Sequence, residues 1–378
     1  QANNYTGESI RTLEGVQHIR MRPGMYIGRL GDGRNPGDGI YVLLKEIVDN
    51  SIDEFAMGFG KQIQITVEDN HVRVRDFGRG IPLDAVVRAV SILNTGGKFD
   101  DKVFKKSVGL NGVGTKAVNA LSETFYVCSH RDGQCSWARF ERGELKDSGN
   151  GTTKEKNGTL VEFFPDAALF KDFSFNMDFV ETMVKNYSYL KKGLVLVLNG
   201  VSYKSENGLL DLVNENLSEA PLYSPIHLEG EDIEIVLTHG NAYGENISSF
   251  VNGQNTRDGG THLAAYREAI AKTLKEFLKK NYAPEDCRQG VVGAISIQIQ
   301  EPTFEAQTKM KLGSTYMWEK PASGEHGQTI RSFVNDFVSK ALDDYLTVHK
   351  ELVPIIEDKI KSSQQEREEI SGIQKKTR

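Results

Sequence analysis

Cysteine is scarce in this sequence. Cys128, Cys135 and Cys287 cannot all pair, and no CxxC occurs. That argues against a disulfide framework or a structural zinc site and for reduced thiols in a cytoplasmic setting. Long apolar runs are missing too: none approaches the ~18 residues of a membrane helix, and no signal peptide opens the chain as given. No membrane partner is therefore expected. Nor is there an excess of basic charge, since the net charge is -6, which argues against a surface that coats DNA generally. Contact with nucleic acid would need a local patch or further chain, and affinity for DNA is expected to be weak and salt-sensitive. Internal repeats are absent.

What is present reads as an ordinary globular protein, with 26% charged and 38% apolar residues. The 378 residues exceed one comfortable core, so two domains are expected. The 37 glycines exceed the usual share of ~7% and cluster at 78/80, 96/97, 109/112/114 and 259/260. Residues 1–9 form a polar arm whose one aromatic is Tyr5, and Met21-Arg22-Pro23-Gly24-Met25-Tyr26 holds a Pro-Gly turn.

From 40 to 57 the pattern is helical. Ile40, Leu43, Leu44, Ile47, Val48 and Ile52 form the apolar stripe, and Glu46, Asn50 and Asp53 lie on the opposite face. A hairpin follows, turning at Asp69-Asn70 and leaving Asp76 at a strand end. Next come a helix over about 84–93, a glycine-rich stretch to Gly114 and a helix starting near Thr115. Strands at 125–128, 137–140, 159–164 and 194–198 complete a sheet. The mixture implies an α/β layer sandwich, not a βαβ repeat. A polar link at Ser205-Glu206-Asn207-Gly208 divides the chain. The second half offers strands at 233–237, 247–251 and 291–299 and helices at 261–280 and 329–346. Residues 364–378 read as an exposed helix or fraying tail.

Three short segments carry chemistry. In Glu46-Ile47-Val48-Asp49-Asn50, a carboxylate can accept a proton from an attacking water, and an amide oxygen one turn away can hold a metal. In Asp76-Phe77-Gly78-Arg79-Gly80, a carboxylate can accept from an adenine amino group, glycines allow a tight turn, and Arg79 can pair with Glu54. In Gly109-Leu110-Asn111-Gly112-Val113-Gly114, bare amides precede a helix start and can surround phosphate oxygens, with Lys98 as a nearby cation. Gly158-Thr159 adds a hydroxyl that can support Asp76 through a water. A Walker A loop fails because Gly114 is followed by Thr115-Lys116 in the wrong order, and the Rossmann spacing fails too. Singly, these segments also fit a solvated helix face, an ordinary turn and a surface loop. Together, in this order, they describe one ATP site.

These motifs are those of the GHKL ATPases. Several further segments make the chain similar, from end to end, to the ATPase half of bacterial type IIA topoisomerase B subunits, gyrase or topoisomerase IV. They are Arg22-Pro23-Gly24-Met25-Tyr26-Ile27-Gly28, Asn94-Thr95-Gly96-Gly97-Lys98-Phe99, Arg257-Asp258-Gly259-Gly260-Thr261-His262 and Gln307-Thr308-Lys309. The resemblance implies an α+β chain: a GHKL (Bergerat) α/β sandwich with an N-terminal dimerisation arm over 1–206, then a transducer over 207–378 like the second domain of ribosomal protein S5. It implies ATP and Mg²⁺, with Glu46 as general base, Asn50 as metal ligand and Lys309 as a second catalytic group. Asp53, Asp76, Gly80, Ile81 and Thr159 would bind nucleotide. Lys98, Gly109, Leu110, Asn111, Gly112, Val113 and Gly114 would hold phosphate, and Gln307 with Lys309 would reach the γ-phosphate. Glu54, Arg79 and Arg131 would form the rim where inhibitors bind, and Tyr5 and Tyr26 would lie in an ATP-dependent homodimer. The implied partners are a DNA-cleaving A-type subunit, and DNA through the full complex.

Some residues depart from the family pattern. Asn111 replaces a histidine and Phe104 a tyrosine of many gyrases, and the segment 82–91 is short. The wording Ser107-Val108-Gly109-Leu110-Asn111-Gly112 leans towards topoisomerase IV. Neither Glu-Gly-Asp-Ser nor an Asp-x-Asp metal segment of a DNA-cleaving module occurs, so a fragment that hydrolyses ATP and dimerises is expected. A nucleotide-gated clamp or chaperone-type assembly module is the alternative. A histidine kinase fits poorly, because the one early histidine, His18, sits beside Arg20 and Pro23 and not in a long helix.

Overall fold

The computed structural model describes residues 15–91, 113–306 and 309–377. The chain divides into two compact units, with the main break between Glu206 and Asn207 and with Ala306 grouped with the first unit.

In the first unit, α1 (Gly24–Ile27) leads to α2 (Gly39–Ala56). The stripe Ile40, Leu43, Leu44, Ile47, Val48 and Ile52 is buried along its length, as its spacing requires. Asp38, the residue before α2, fixes the entry loop by accepting from the amides of Gly33 (2.9 Å) and Asn35 (3.1 Å). The Tyr41 hydroxyl donates to the Gly33 carbonyl and accepts from the Asn176 amide at 2.8 Å.

β1 (Gln62–Glu68) and β2 (His71–Asp76) form the expected hairpin, with Asp69 and Asn70 both left-handed at φ 50° and 63°. That is the geometry a two-residue turn needs to match strand twist. The other strands are β3 (Ser122–Arg131), β4 (Gln134–Glu141), β5 (Glu144–Thr152), β6 (Gly158–Pro165), β7 (Val195–Leu198) and β8 (Val201–Tyr203). They pair in the order β5-β4-β3-β6-β2-β1-β7-β8, antiparallel except for β1 beside β7. α2, α3 (Val86–Ser91), α4 (Gly114–Ala120) and α5 (Met177–Leu190) pack on this sheet around one core. The helix expected over 84–93 runs only Val86–Ser91 among the described residues. The edge strand β5 was not anticipated. It is almost wholly exposed and polar, with Gly149 and Gly151 near its end, so it shows no apolar alternation.

The second unit holds α6 (Leu209–Asn216), β9 (Ile226–Gly230), β10 (Ile233–His239), β11 (Asn246–Val251), β12 (Gln254–Asn255), α7 (Thr261–Leu278), α8 (Pro284–Arg288) and β13 (Val291–Ile297). Its main sheet runs β12-β11-β13-β10-β9. A small hairpin, β14 (Glu319–Lys320) with β15 (Glu325–His326), precedes α9 (Ile330–Val348), which packs against α7. α10 (Leu352–Lys376) buries Ile356 and Ile360 and is exposed over most of its later half, which is the exposed helix that its charge pattern allows. No helix among the described residues is long and apolar enough to cross a membrane.

This second core encloses two histidines, His239 and His262, both fully buried. His239 bonds the Tyr223 hydroxyl and the Cys287 carbonyl, and His262 bonds Thr256 Oγ1 at 3.0 Å. Burial disfavours the imidazolium and lowers both to about 4. Unfolded histidine titrates near ~6.5, so below that value the unfolded chain takes up protons that the folded chain refuses. The stability is complete above pH ~6.5 and is lost as pH falls towards 4, by on the order of 2 kcal/mol per histidine at pH 5. Thermal melts between pH 7 and 5 should show this fall, and His239→Gln should remove about half of it. A melting temperature independent of pH over that window would refute the account.

Candidate functional site

The site is built on Asp76, where β2 ends. Its carboxylate is 7% exposed and fully engaged. Oδ1 accepts from the amides of Gly78 (3.0 Å) and Thr159 (3.1 Å), and Oδ2 accepts from Ser51 Oγ (3.1 Å). Burial pushes the carboxyl above its ordinary range, and these three donors pull it back. Thr159 therefore meets Asp76 through its backbone amide. Ser51, on the turn of α2 that follows Asn50, was missed by sequence reasoning, although its place one residue after the polar motif was the available signal. Arg75 reinforces the strand end: it donates to the carbonyls of Asp76 and Lys156 and lies over the Phe77 ring at 4.5 Å.

α2 supplies the second group. Glu46 lies against the start of α4, so closely that a Cβ on Gly114 would fall 2.0 Å from Glu46 Oε2. Any larger residue at 114 would displace the carboxylate. One turn on, Asn50 Nδ2 donates to Thr115 Oγ1 at 2.6 Å, which orients its carboxamide oxygen away from α4. Asp53, expected to bind nucleotide, is only 5% exposed and Asp49 only 2%. Their cover comes from α5: the Tyr187 hydroxyl donates to Asp49, and Lys191 follows one turn later. Burial lowers the Lys191 ammonium below its ordinary value, against the opposing pull of Asp53 and Asp49. Nothing in the local pattern of α2 couples it to a tyrosine 138 residues away.

The rim also forms. Arg79 grips Glu54 through Nε (3.1 Å), Nη2 (3.0 Å) and its backbone amide (3.1 Å), with its guanidinium 4.5 Å over the Phe59 ring. Gly80 faces the His130 carbonyl and the Arg131 side chain, and the Ile81 carbonyl accepts from Ser129 Oγ at 2.6 Å. Val113 precedes α4. Tyr26 is half-buried, its hydroxyl 2.6 Å from His18 Nδ1. Lys309 belongs to the second unit and takes a left-handed backbone, φ 57°. Tyr5, Lys98, Phe104, Gly109, Leu110, Asn111, Gly112 and Gln307 lie outside the described residues.

The donor chemistry fits Mg²⁺ at Asn50. A hard cation that keeps its waters and takes substrate phosphates needs only one or two protein oxygens, and the hydrogen bond from Nδ2 to Thr115 turns the carboxamide to offer oxygen. Elsewhere, His227, Glu229 and Glu234 place their ligand atoms within 4.8 Å of one another. They form a cross-strand network on β9 and β10 in which Glu234 also accepts from the Leu209 amide.

Residues 177–375 match the family described as DNA gyrase B, and residues 36–169 match the histidine kinase-, DNA gyrase B- and HSP90-like ATPase family. The chain is 45% identical to the B subunit of DNA topoisomerase 4 from Borreliella burgdorferi, over 100% of this chain and 61% of that protein. It is 35% identical to the B subunit of DNA gyrase from Thermotoga maritima, over 96% of this chain and 60% of that protein. Its fold matches the crystal structure of the 43K ATPase domain of Thermus thermophilus gyrase B in complex with an aminocoumarin. That match has a TM-score of 0.70 at 28% identity, over 97% of this chain and 99% of that one. The chain thus spans about three fifths of the length of these two curated relatives.

Proposed function

The chain belongs to the DNA gyrase B family, and from that premise we propose that it is the ATP-hydrolysing portion of the B component of a type IIA topoisomerase. Residues 1–206 are the GHKL ATPase domain with its dimerisation arm, and residues 207–378 are the transducer. The observation that carries this reading is the buried Asp76, held by three donors, on the same scaffold as Glu46 and Asn50. A carboxylate fixed in this way reads an adenine amino group. Glu46, on the neighbouring helix, takes the proton of the water that attacks the γ-phosphorus. Asn50 would hold Mg²⁺, which supplies charge neutralisation on the phosphate oxygens when bound. By the family resemblance, Lys309 and Gln307 would meet the γ-phosphate and not the adenosine. ATP and ADP then stabilise different arrangements of the two units, because only one of them offers that contact.

In the whole protein, nucleotide-driven dimerisation would gate DNA strand passage together with a DNA-cleaving A-type subunit. The setting is cytoplasmic, consistent with the free thiols of Cys128, Cys135 and Cys287. Identity of 45% with the topoisomerase 4 relative, against 35% with the gyrase relative, favours the topoisomerase IV type. The test is ATPase activity across protein concentration, beside sizing with a non-hydrolysable ATP analogue. Specific activity should rise with concentration and the analogue should drive dimerisation. A monomer at every analogue concentration would remove the clamp reading, and absence of Mg²⁺-dependent hydrolysis would remove the enzyme reading.

A further inference from the structure

The segment Arg257-Asp258-Gly259-Gly260-Thr261-His262 plays no part in the site as described, yet it is tightly built. It enters α7, with Gly260 as the residue before the helix at φ 135°. Its backbone pairs with residues 310–312, which directly follow Lys309. The Asp258 amide donates to the Met310 carbonyl (2.9 Å), the Leu312 amide to the Gly259 carbonyl (3.1 Å), and the Thr261 amide to the Leu312 carbonyl (3.4 Å). Thr261 Oγ1 adds a bond to the Ser314 carbonyl at 2.8 Å. Leu312 is buried, and on its other side the Glu305 amide donates to the Lys311 carbonyl at 3.1 Å.

The fit leaves no room for a side chain at 260. A Cβ on Gly260 would lie 2.5 Å from the Leu312 carbonyl oxygen and 2.7 Å from its nitrogen. These are backbone atoms, so the conflict cannot be relieved by turning a side chain. The loop is itself anchored to the sheet: His262 Nε2 bonds Thr256 Oγ1, which donates to the Ser249 carbonyl of β11 at 2.9 Å. Lys309 stands immediately before this paired stretch, and its left-handed backbone costs about 1 kcal/mol or more for a residue other than glycine. Such a conformation persists where neighbouring bonds over-determine it, and the bonds at Met310 and Leu312 are placed to do so.

We propose that residues 258–261 are a positioning clamp for Lys309. By fixing the register of residues 310–312, they hold the Lys309 backbone in the conformation from which its ammonium meets the γ-phosphate of ATP. The inference rests on the reading of Lys309 given above. Gly260 and Thr261 act here as positioning residues and touch no substrate.

The test is a double-mutant cycle in this chain. Displacing a catalytic group by about 1 Å can cost about a hundredfold in rate, so Gly260→Ala should lower kcat by roughly 10- to 100-fold. ADP lacks the γ-phosphate, so its affinity should stay within about twofold of the parent. In a Lys309→Ala background, Gly260→Ala should reduce kcat no further, since a positioning residue has nothing left to position. Thr261→Val is the milder variant, for use if Gly260→Ala does not fold; it should cost a few-fold in kcat, again only while Lys309 is present. If Lys309→Ala hydrolyses ATP normally, the reading of Lys309 fails and the clamp fails with it. If Lys309→Ala is impaired while the clamp variants are normal, weaken ADP equally, or multiply with it, the clamp alone is overturned.

Discussion

Replacing Glu46 with glutamine should lower ATP turnover by roughly 10²–10⁴-fold, the usual contribution of a positioned general base, while leaving analogue-driven dimerisation intact. The size of the effect follows from what the substitution changes. Glutamine keeps the volume and reach of glutamate, so the packing of its end against the Gly114 backbone survives. It keeps hydrogen-bonding capacity and so can still orient a water, but it cannot accept the proton. A loss confined to kcat, with the ATP dependence of dimerisation unchanged, is therefore the signature of a base. Glu46→Ala should lose as much turnover, and should also loosen the contact between α2 and α4. Should Glu46→Gln turn over within about threefold of the parent, proton acceptance at this position would be irrelevant to the rate-limiting step, and the base would have to be sought elsewhere.

The sequence made the scaffold of this site legible because periodicity and turn chemistry are local. The stripe of α2 needed only 3.6-residue spacing, and the Asp69-Asn70 turn needed only two residues that tolerate a left-handed backbone. Placing Asp76 at a strand end followed from the hairpin. The Arg79–Glu54 pair was also expected, with Arg79 inside the Asp76 motif and Glu54 near the end of α2, and the structure forms it. What the pattern could not give was burial by distant segments. Asp53 is only 5% exposed, and Asp49, one turn before it, is met by the Tyr187 hydroxyl of α5. β5 was invisible for the opposite reason: an exposed edge strand buries too little to impose alternation on its residues. The direct contact between Thr159 and Asp76 is a backbone amide, which any residue at 159 could supply and which the sequence therefore does not mark. The Arg257-to-His262 segment was recognisable as a motif, but its pairing with residues 310–312 spans more than forty intervening positions and leaves no trace in local spacing.

Asp76→Asn should separate folding from recognition. The two amides of Gly78 and Thr159 converge on Oδ1, so an asparagine there must turn its carbonyl oxygen towards them and its NH₂ into the place of Oδ2. Ser51 can adjust, because a hydroxyl accepts as readily as it donates. The fold should survive, with a melting temperature close to the parent. Adenine cannot adjust. Its amino group, a donor, would face a second donor, and the lost or opposed hydrogen bond should weaken nucleotide binding by about 1–3 kcal/mol, or about 5- to 150-fold. ADP and ATP should suffer alike, because the adenine is common to both; Lys309→Ala, by contrast, should spare ADP. Asp76→Ala should fail on both counts, since it strands two buried amides as well as the adenine, each at about 1–3 kcal/mol. Calorimetric titration of ADP and ATP into the asparagine variant, beside its thermal melt, decides the matter. Normal affinity for both nucleotides would mean that Asp76 serves only to fasten β2 to α2 and β6, and that adenine is read by other groups. Equal loss for both nucleotides with an unchanged melt would leave hydrogen-bond polarity at this one carboxylate as the cause.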